Sequence, residues 1–94
     1  MSPDALDSIA RFRRHLATER RYSPHTDSNY ARELAALVRF CDARGIAEWR
    51  ELDSQHLRVF AAQSHASGLA PRSIQRRLSA VRSFLRFLLV REKR

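Results

Sequence analysis

Residues 71–91, PRSIQRRLSAVRSFLRFLLVR, carry the longest uninterrupted helical pattern in the chain. The segment has no glycine, and its only proline stands at the first position, where a helix accepts proline because no intrahelical N–H is lost there. Its apolar residues recur at steps of three and four, which predicts one buried stripe on an α-helix: Ile74, Leu78, Val81, Leu85 and Leu88. A helix of this length needs partners that cover such a stripe, so we expect the rest of the chain to pack against it.

The opposite side of this segment is polar and basic. Residues 71–94 contain eight basic residues against one acid, Glu92, and so account for seven of the eight net positive charges of the chain. With a helical rotation of about 100° per residue, seven residues lie on the outward arc: Arg72, Gln75, Arg76, Ser79, Arg82, Ser83 and Arg86. Of the 18 basic residues only Lys93 is lysine. Because arginine binds phosphate as a planar fork, the composition points to nucleic acid first and to an anionic membrane second.

Start and stop signals divide the whole chain into four helices. Ser2-Pro3, Ser23-Pro24 and Asp53 mark helix starts, while Gly45 and Gly68 are suited to end helices in the left-handed conformation. The predicted helices cover about residues 3–20, 23–44, 54–66 and 71–91, within one domain over residues 1–94. No stretch alternates like a strand, so the predicted class is all-α.

The inward faces of the other helices follow the same period. In the first helix these residues are Ala5, Ile9, Phe12 and Leu16, and in the second they are Tyr30, Leu34, Leu37 and Cys41. In the connection and the third helix, the expected core residues are Ile46, Trp49, Leu52, Leu57, Phe60 and Ala61. The lone Trp49 is predicted to pack in the core rather than to stack on a base.

A second polar face lies on the second helix, and it suits close approach to a phosphate backbone or a groove. Its members are His25, Ser28, Asn29, Arg32, Ala36 and Arg39. The start of the fourth helix, with Arg72 and Ser73, is a further seat for phosphate because of its free N–H groups and dipole. Arg77 stands at the edge of the apolar stripe, so it is predicted to pair with an acid or pack its stem.

Catalytic patterns are absent from these 94 residues. Only Gly45 and Gly68 are available, so no glycine-rich phosphate loop can form. No paired carboxylates share a face, and Cys41 lies in an apolar stripe without a nearby histidine. His56 and His65 lack partners for a metal site. We therefore expect no catalysis by this chain, no cofactor, no metal and no membrane segment, with the cytoplasm as the location.

Two segments resemble the tyrosine recombinase family, and within it XerC-like members. Residues 16–34, LATERRYSPHTDSNYAREL, are similar to the family's opening pattern, with its Glu-Arg, Ser, Thr, Tyr, Arg and Leu at matching steps. Residues 68–84, GLAPRSIQRRLSAVRSF, are similar to a longer family helix that fixes a Ser, an Arg, Leu-Ser-Ala and Arg-x-Phe. The likeness extends over nearly the whole chain. Trp49 and Arg58-Val59-Phe60 favour XerC over XerD.

The resemblance implies an N-terminal core-binding domain of SAM-like fold, with crossed helix pairs, that forms one half of a clamp around duplex DNA. The DNA-contacting residues it implies, together with those of the outward arcs, are His25, Thr26, Ser28, Asn29, Arg32, Arg72, Ser73, Gln75, Arg76, Ser79, Ser83 and Arg86. The implied partners are a C-terminal catalytic domain and an XerD-like subunit in a tetramer on DNA. The implied roles are site-specific recombination, DNA integration and chromosome dimer resolution, which serves chromosome partition and cell division.

Two other interpretations remain at this stage. A helical protein-interaction module would need an exposed apolar patch, for which the sequence offers Phe84, Phe87, Leu89 and Val90. A helix-turn-helix repressor fits less well, because it requires a tight turn of three to four residues, whereas about eight residues separate the second and third helices here.

Overall fold

The computed structural model describes residues 1–19 and 24–92, with only the backbone described at Glu19, Pro24 and His25. Its helices are α1 (Pro3–Glu19), α2 (Pro24–Ala43), α3 (Ser54–Ala66) and α4 (Pro71–Arg91), and a 3-10 turn covers Trp49–Glu51. No strand occurs in the described ranges, which confirms the all-α class. The predicted end of the first helix at residue 20 and the predicted cap at Ser23 lie outside the described residues.

The helix ends follow from local capping chemistry. The Ser2 hydroxyl accepts a hydrogen bond from the Ala5 N–H at 3.1 Å, as expected of an N-cap serine. Asp53 accepts from the His56 N–H at 2.9 Å, and His56 Nδ1 accepts from the Asp53 N–H at 3.1 Å, which makes a reciprocal capping box. Gly45 follows α2 with a φ of 73°, a conformation that side chains with a Cβ rarely adopt.

The core lies between α1, α2 and α4, and aromatic rings are at its centre. The Phe12 ring of α1 stands edge-on to Tyr30 of α2 at 5.5 Å and to Phe84 of α4 at 5.4 Å. The third helix joins this core through Phe60, whose ring lies 5.1 Å from Phe40 of α2. Each such pair adds to the stabilisation from buried area, so the rings fix how the four helices meet.

Trp49 anchors the connection between α2 and α3. It is buried, its indole Nε1 donates to the Ala5 carbonyl at 2.7 Å, and its ring stands edge-on to Phe84 at 4.9 Å. The prediction that Trp49 serves packing is confirmed, because its one polar group is already used inside the fold.

The structure corrects two predictions about side-chain exposure. Phe84 was expected beside the inward stripe as part of an exposed patch, but it is fully buried against Phe12 and Trp49. Ala36 was expected at the middle of the outer face of α2, but it is buried beside Phe40 and Phe60. Both errors have one cause, since these helices are covered from more than one side and their buried arcs are wider than a single stripe.

Among the described residues, three large apolar side chains are exposed: Leu6 of α1, and Leu89 and Val90 at the end of α4. Leu89 and Val90 are each 66% exposed, whereas Phe87 is half-buried. The predicted apolar patch is therefore confined mainly to the last turn of the helix.

Cys41 belongs to the core of α2. Its side chain is fully buried, and this burial is the main reason why the pKa of the thiol is raised to about 11. A thiol with such a pKa is protonated at neutral pH, so it acts here as a small apolar residue rather than as a nucleophile.

An ion pair joins α1 to the first turn of α2. Arg13 donates Nε and Nη2 to the two carboxylate oxygens of Asp27, both at 2.9 Å. This fork holds the pKa of the Asp27 carboxyl below its ordinary value of 3.8, and it also raises the pKa of Arg13. The pair is partly exposed, so its contribution to stability is modest.

We expect Asp27→Asn to lower the free energy of unfolding at pH 7 by about 0.5–1 kcal/mol. Because the folded-state pKa of Asp27 is depressed, the stabilisation is present above the unfolded-state pKa and is lost as the pH falls through the folded-state pKa. Urea titrations of both proteins between neutral pH and the acid range measure the difference, which should shrink on acidification. A difference that stays constant down to the lowest pH at which both proteins fold would contradict this role.

Candidate nucleic-acid interface

Helices α2 and α4 pack side by side and enclose a cleft of about 170 Å³ between their outer faces. Its walls are Thr26, Asn29, Tyr30 and Glu33 from α2, and Arg76, Ser79 and Ala80 from α4. Four residues that the sequence nominated from two separate helices, Thr26, Asn29, Arg76 and Ser79, thus border one depression. We call the outward surface around it the α2–α4 face, comprising the described residues nominated for DNA binding.

On the α2 side, the polar groups are arranged by contacts within the helix. Arg32 is exposed and donates Nη2 to Asn29 Oδ1, one turn away. Ser28 is exposed beside them. The side chain of His25 lies outside the described residues. Because Asn29 Oδ1 accepts from Arg32, the two N–H donors of the amide group remain available to bind an acceptor.

On the α4 side, the nominated residues extend along the helix. Arg72, Gln75, Arg76, Ser79 and Arg86 are exposed, whereas Ser73 and Ser83 are half-buried. Ser83 accepts from the Tyr30 hydroxyl at 3.5 Å, so it faces α2 rather than solvent alone. Ala70 occupies the N-cap and makes no side-chain cap, so the N-cap side chain does not compete for the first N–H groups of α4.

The outward arginines of α4 are not neutralised by any acid in the part of the chain that the structure describes. Among the described residues, the guanidinium groups of Arg72, Arg76, Arg82 and Arg86 make no ion pair. By contrast, Arg11 of α1 is paired with Glu92, and Arg13 with Asp27. The net charge of the chain is therefore presented mainly along the outer side of α4, where an anion can reach it.

Sequence reasoning missed three residues of the cleft, Tyr30, Glu33 and Ala80. Tyr30 was assigned to the core, but it also lines the cleft, and its hydroxyl donates to Ser83 of α4. Glu33 was placed off the polar arc, but it is buried and accepts from Arg77 Nε at 3.2 Å. The predicted acid partner of Arg77 is thereby confirmed, and that prediction was the one signal that could have found Glu33.

The described helices include none that is both long enough and apolar enough to cross a lipid bilayer. Leu89 and Val90 are followed by Arg91, and arginines recur along the whole of α4. Leu89 and Val90 thus form a short apolar patch on a cationic helix.

These features define a small helical domain whose second and fourth helices share a polar, cationic face. The chain belongs to the family described as the phage integrase N-terminal SAM-like domain, which matches residues 9–93. This match covers nearly all of the four-helix fold, and it confirms the resemblance to tyrosine recombinases that the two sequence segments indicated.

Among curated proteins, the chain is similar to several named tyrosine recombinase XerC. It is 45% identical over 74 residues to the one from Pseudomonas syringae pv. tomato, covering 79% of this chain and 25% of that protein. It is 45% identical over 84 residues to the one from Xanthomonas campestris pv. campestris, covering 89% of this chain and 26% of that protein. The chain thus spans about a quarter of the length of these relatives. No solved structure matches it.

Proposed function

We propose that this chain is the DNA-binding domain of a XerC-like site-specific tyrosine recombinase, and that its α2–α4 face lies against duplex DNA. The observation that carries the proposal is the shared cleft, where Thr26 and Asn29 of α2 meet Arg76 and Ser79 of α4. The unpaired arginines along α4 supply the positive charge that a phosphate backbone requires.

The proposed contacts divide by chemistry. Arg72, Arg76 and Arg86 suit phosphate oxygens, because each planar fork is exposed and makes no ion pair with a described residue. Thr26, Ser28, Asn29, Arg32, Ser73, Gln75, Ser79 and Ser83 suit hydrogen bonds to phosphate, sugar or base edges, and His25 is proposed with them. Phosphate contacts would provide most of the affinity, while the amide and hydroxyl groups in and near the cleft would fix the register on the duplex.

The wider role is proposed from the named relatives, which are tyrosine recombinases. The protein would act with a C-terminal catalytic domain that breaks and rejoins DNA strands through a phosphotyrosyl link, and with an XerD-like subunit in a tetramer. DNA integration and the resolution of chromosome dimers are the proposed outcomes. In this arrangement the chain binds and positions DNA as one half of a clamp, and the chemistry belongs to the catalytic domain.

We expect the 94-residue chain to bind an about 30-base-pair duplex of mixed sequence, with log K falling linearly as log salt rises. The reason is that each arginine bound to phosphate releases condensed counterions. Fluorescence anisotropy of a labelled duplex, titrated at several NaCl concentrations, measures the affinity. Because the 94-residue chain would be only one half of the clamp and would bind without the catalytic domain, we expect weak binding with little sequence preference.

Absence of measurable binding even at low salt would contradict the proposal. The alternative, a helical interaction module, is supported by the exposed Leu89 and Val90. A chain that self-associates tightly at high salt without DNA, as measured by sedimentation, and does not bind the duplex would favour that alternative.

A further inference from the structure

A buried ion pair lies directly behind the proposed DNA face. Arg77 of α4 donates Nε to Glu33 of α2 at 3.2 Å and Nη1 to Ser64 of α3 at 3.0 Å, and its guanidinium lies 5.5 Å from the centre of the Phe60 ring. The side chains of Arg77 and Glu33 are only 17% and 11% exposed. The pair therefore links three helices in a setting where charges are weakly screened.

The two partners face different surfaces. Glu33 is one wall of the cleft that also contains Asn29 and Arg76. Arg77 lines a separate groove of about 320 Å³ between α2, α3 and α4, together with Phe60 and Ser64. The carboxylate is thus on the side of the proposed DNA face, and its counter-charge is on the far side.

A carboxylate in that wall is unfavourable for a site that binds phosphate. Without a partner, Glu33 would place a negative charge beside Arg76 and would repel the duplex that Arg76 attracts. With Arg77 in contact, the pair is neutral overall. The outward arginines then attract the phosphates without repulsion from the Glu33 carboxylate.

We infer that Arg77 is a positioning residue for DNA binding, which acts by neutralising Glu33 and does not itself touch the duplex. This inference rests on the proposed function of the α2–α4 face. It assigns to an arginine of α4 a role different from that of its neighbours Arg72 and Arg76, and it explains why a carboxylate is tolerated in the cleft.

The test uses Arg77→Met, Arg77→Lys, Glu33→Gln and the double variant Glu33→Gln/Arg77→Met in the 94-residue chain. Affinity for the labelled mixed-sequence duplex is measured at low and high salt, at a temperature where circular dichroism shows each variant folded. Arg77→Met should lose about tenfold in affinity at about 0.1 M salt, and the loss should shrink at higher salt because it is electrostatic. Arg77→Lys, which keeps the charge and not the fork, should bind within about threefold of the wild type.

The decisive comparison is rescue. Adding Glu33→Gln to Arg77→Met should restore affinity to within about threefold of the wild type, since it removes the charge that Arg77 neutralises. Glu33→Gln alone should bind as tightly as the wild type or more tightly. If Arg77→Met does not fold, the single Glu33→Gln variant still decides, because weaker binding by that folded variant would overturn the inference.

An unrescued double variant, or a loss in Arg77→Met that is independent of salt, would also overturn it, since both point to a packing role. Arg76→Ala separates this failure from failure of the proposed function. If Arg76→Ala weakens binding while the Arg77 and Glu33 variants behave otherwise than stated, only the inference fails. If the wild type does not bind the duplex, the proposed function fails.

Discussion

Phe84→Ala is expected to lower the free energy of unfolding by about 3–5 kcal/mol, which is a large part of the stability of a small domain. Phe84 is fully buried, and its ring meets those of Phe12 and Trp49 at 5.4 and 4.9 Å. Truncation removes both edge-on contacts and leaves a cavity where α1, α4 and the α2–α3 connection meet. Urea denaturation followed by circular dichroism measures the change.

Leu89→Ala is the matched control, because it also shortens an apolar side chain of α4 but at a position that is 66% exposed. Its expected effect is within about 0.5 kcal/mol. A Phe84→Ala protein as stable as Leu89→Ala would contradict the packing of α4 described above.

The double variant Arg72→Ala/Arg76→Ala is expected to lose about 60-fold in affinity for duplex DNA at about 0.1 M salt, or about eightfold for each phosphate contact removed. Both arginines are exposed on α4 and make no ion pair among the described residues, so their removal should cost little stability. Anisotropy titrations of the two proteins with the same duplex give the ratio of affinities.

Arg50→Ala is the control for net charge. Arg50 is exposed beside Asp4, outside the α2–α4 face, and its removal also takes away one positive charge. It should change affinity by no more than about twofold, because its field at the DNA is screened. An equal loss in Arg50→Ala and in either single arginine variant of α4 would mean that binding follows total charge rather than a defined face.

Helix ends were predictable from sequence because their signals are local. The sequence signals placed helices at residues 54–66 and 71–91, where the structure has α3 and α4. Asp53 forms the capping box of α3, and Gly68 follows that helix with a φ of 99°. These features depend on a few neighbouring residues, so no knowledge of the tertiary fold is needed.

Exposure was less predictable, because it depends on how many neighbours surround a helix. A helical wheel drawn from the sequence placed Val81 and Leu88 on the inward side of α4, and both are buried. It misplaced Phe84 and Ala36, which lie at the margins of the stripe and are covered by the rings of other helices. A helical wheel gives angles on one helix, and it contains no information about the partners on the other side.

The candidate site was likewise predictable in part, because its polar faces follow from local patterns but their meeting depends on the tertiary fold. Patterns on α2 and α4 each indicated a polar face, and packing placed Thr26 and Asn29 across a cleft from Arg76 and Ser79. The Glu33–Arg77 pair joins residues 44 positions apart, so only half of it, the need of Arg77 for an acid, was visible in the sequence. Which acid meets that need is decided by the fold.

The most direct test of the DNA-binding face is the slope of log K against log salt for the wild type, Arg72→Ala/Arg76→Ala and Arg50→Ala with one duplex. If Arg72 and Arg76 each bind a phosphate, the slope of the double variant should be shallower by about 1.8, or about 0.9 for each contact, with Arg50→Ala unchanged. An unchanged slope in the double variant would contradict the assignment of α4 to DNA.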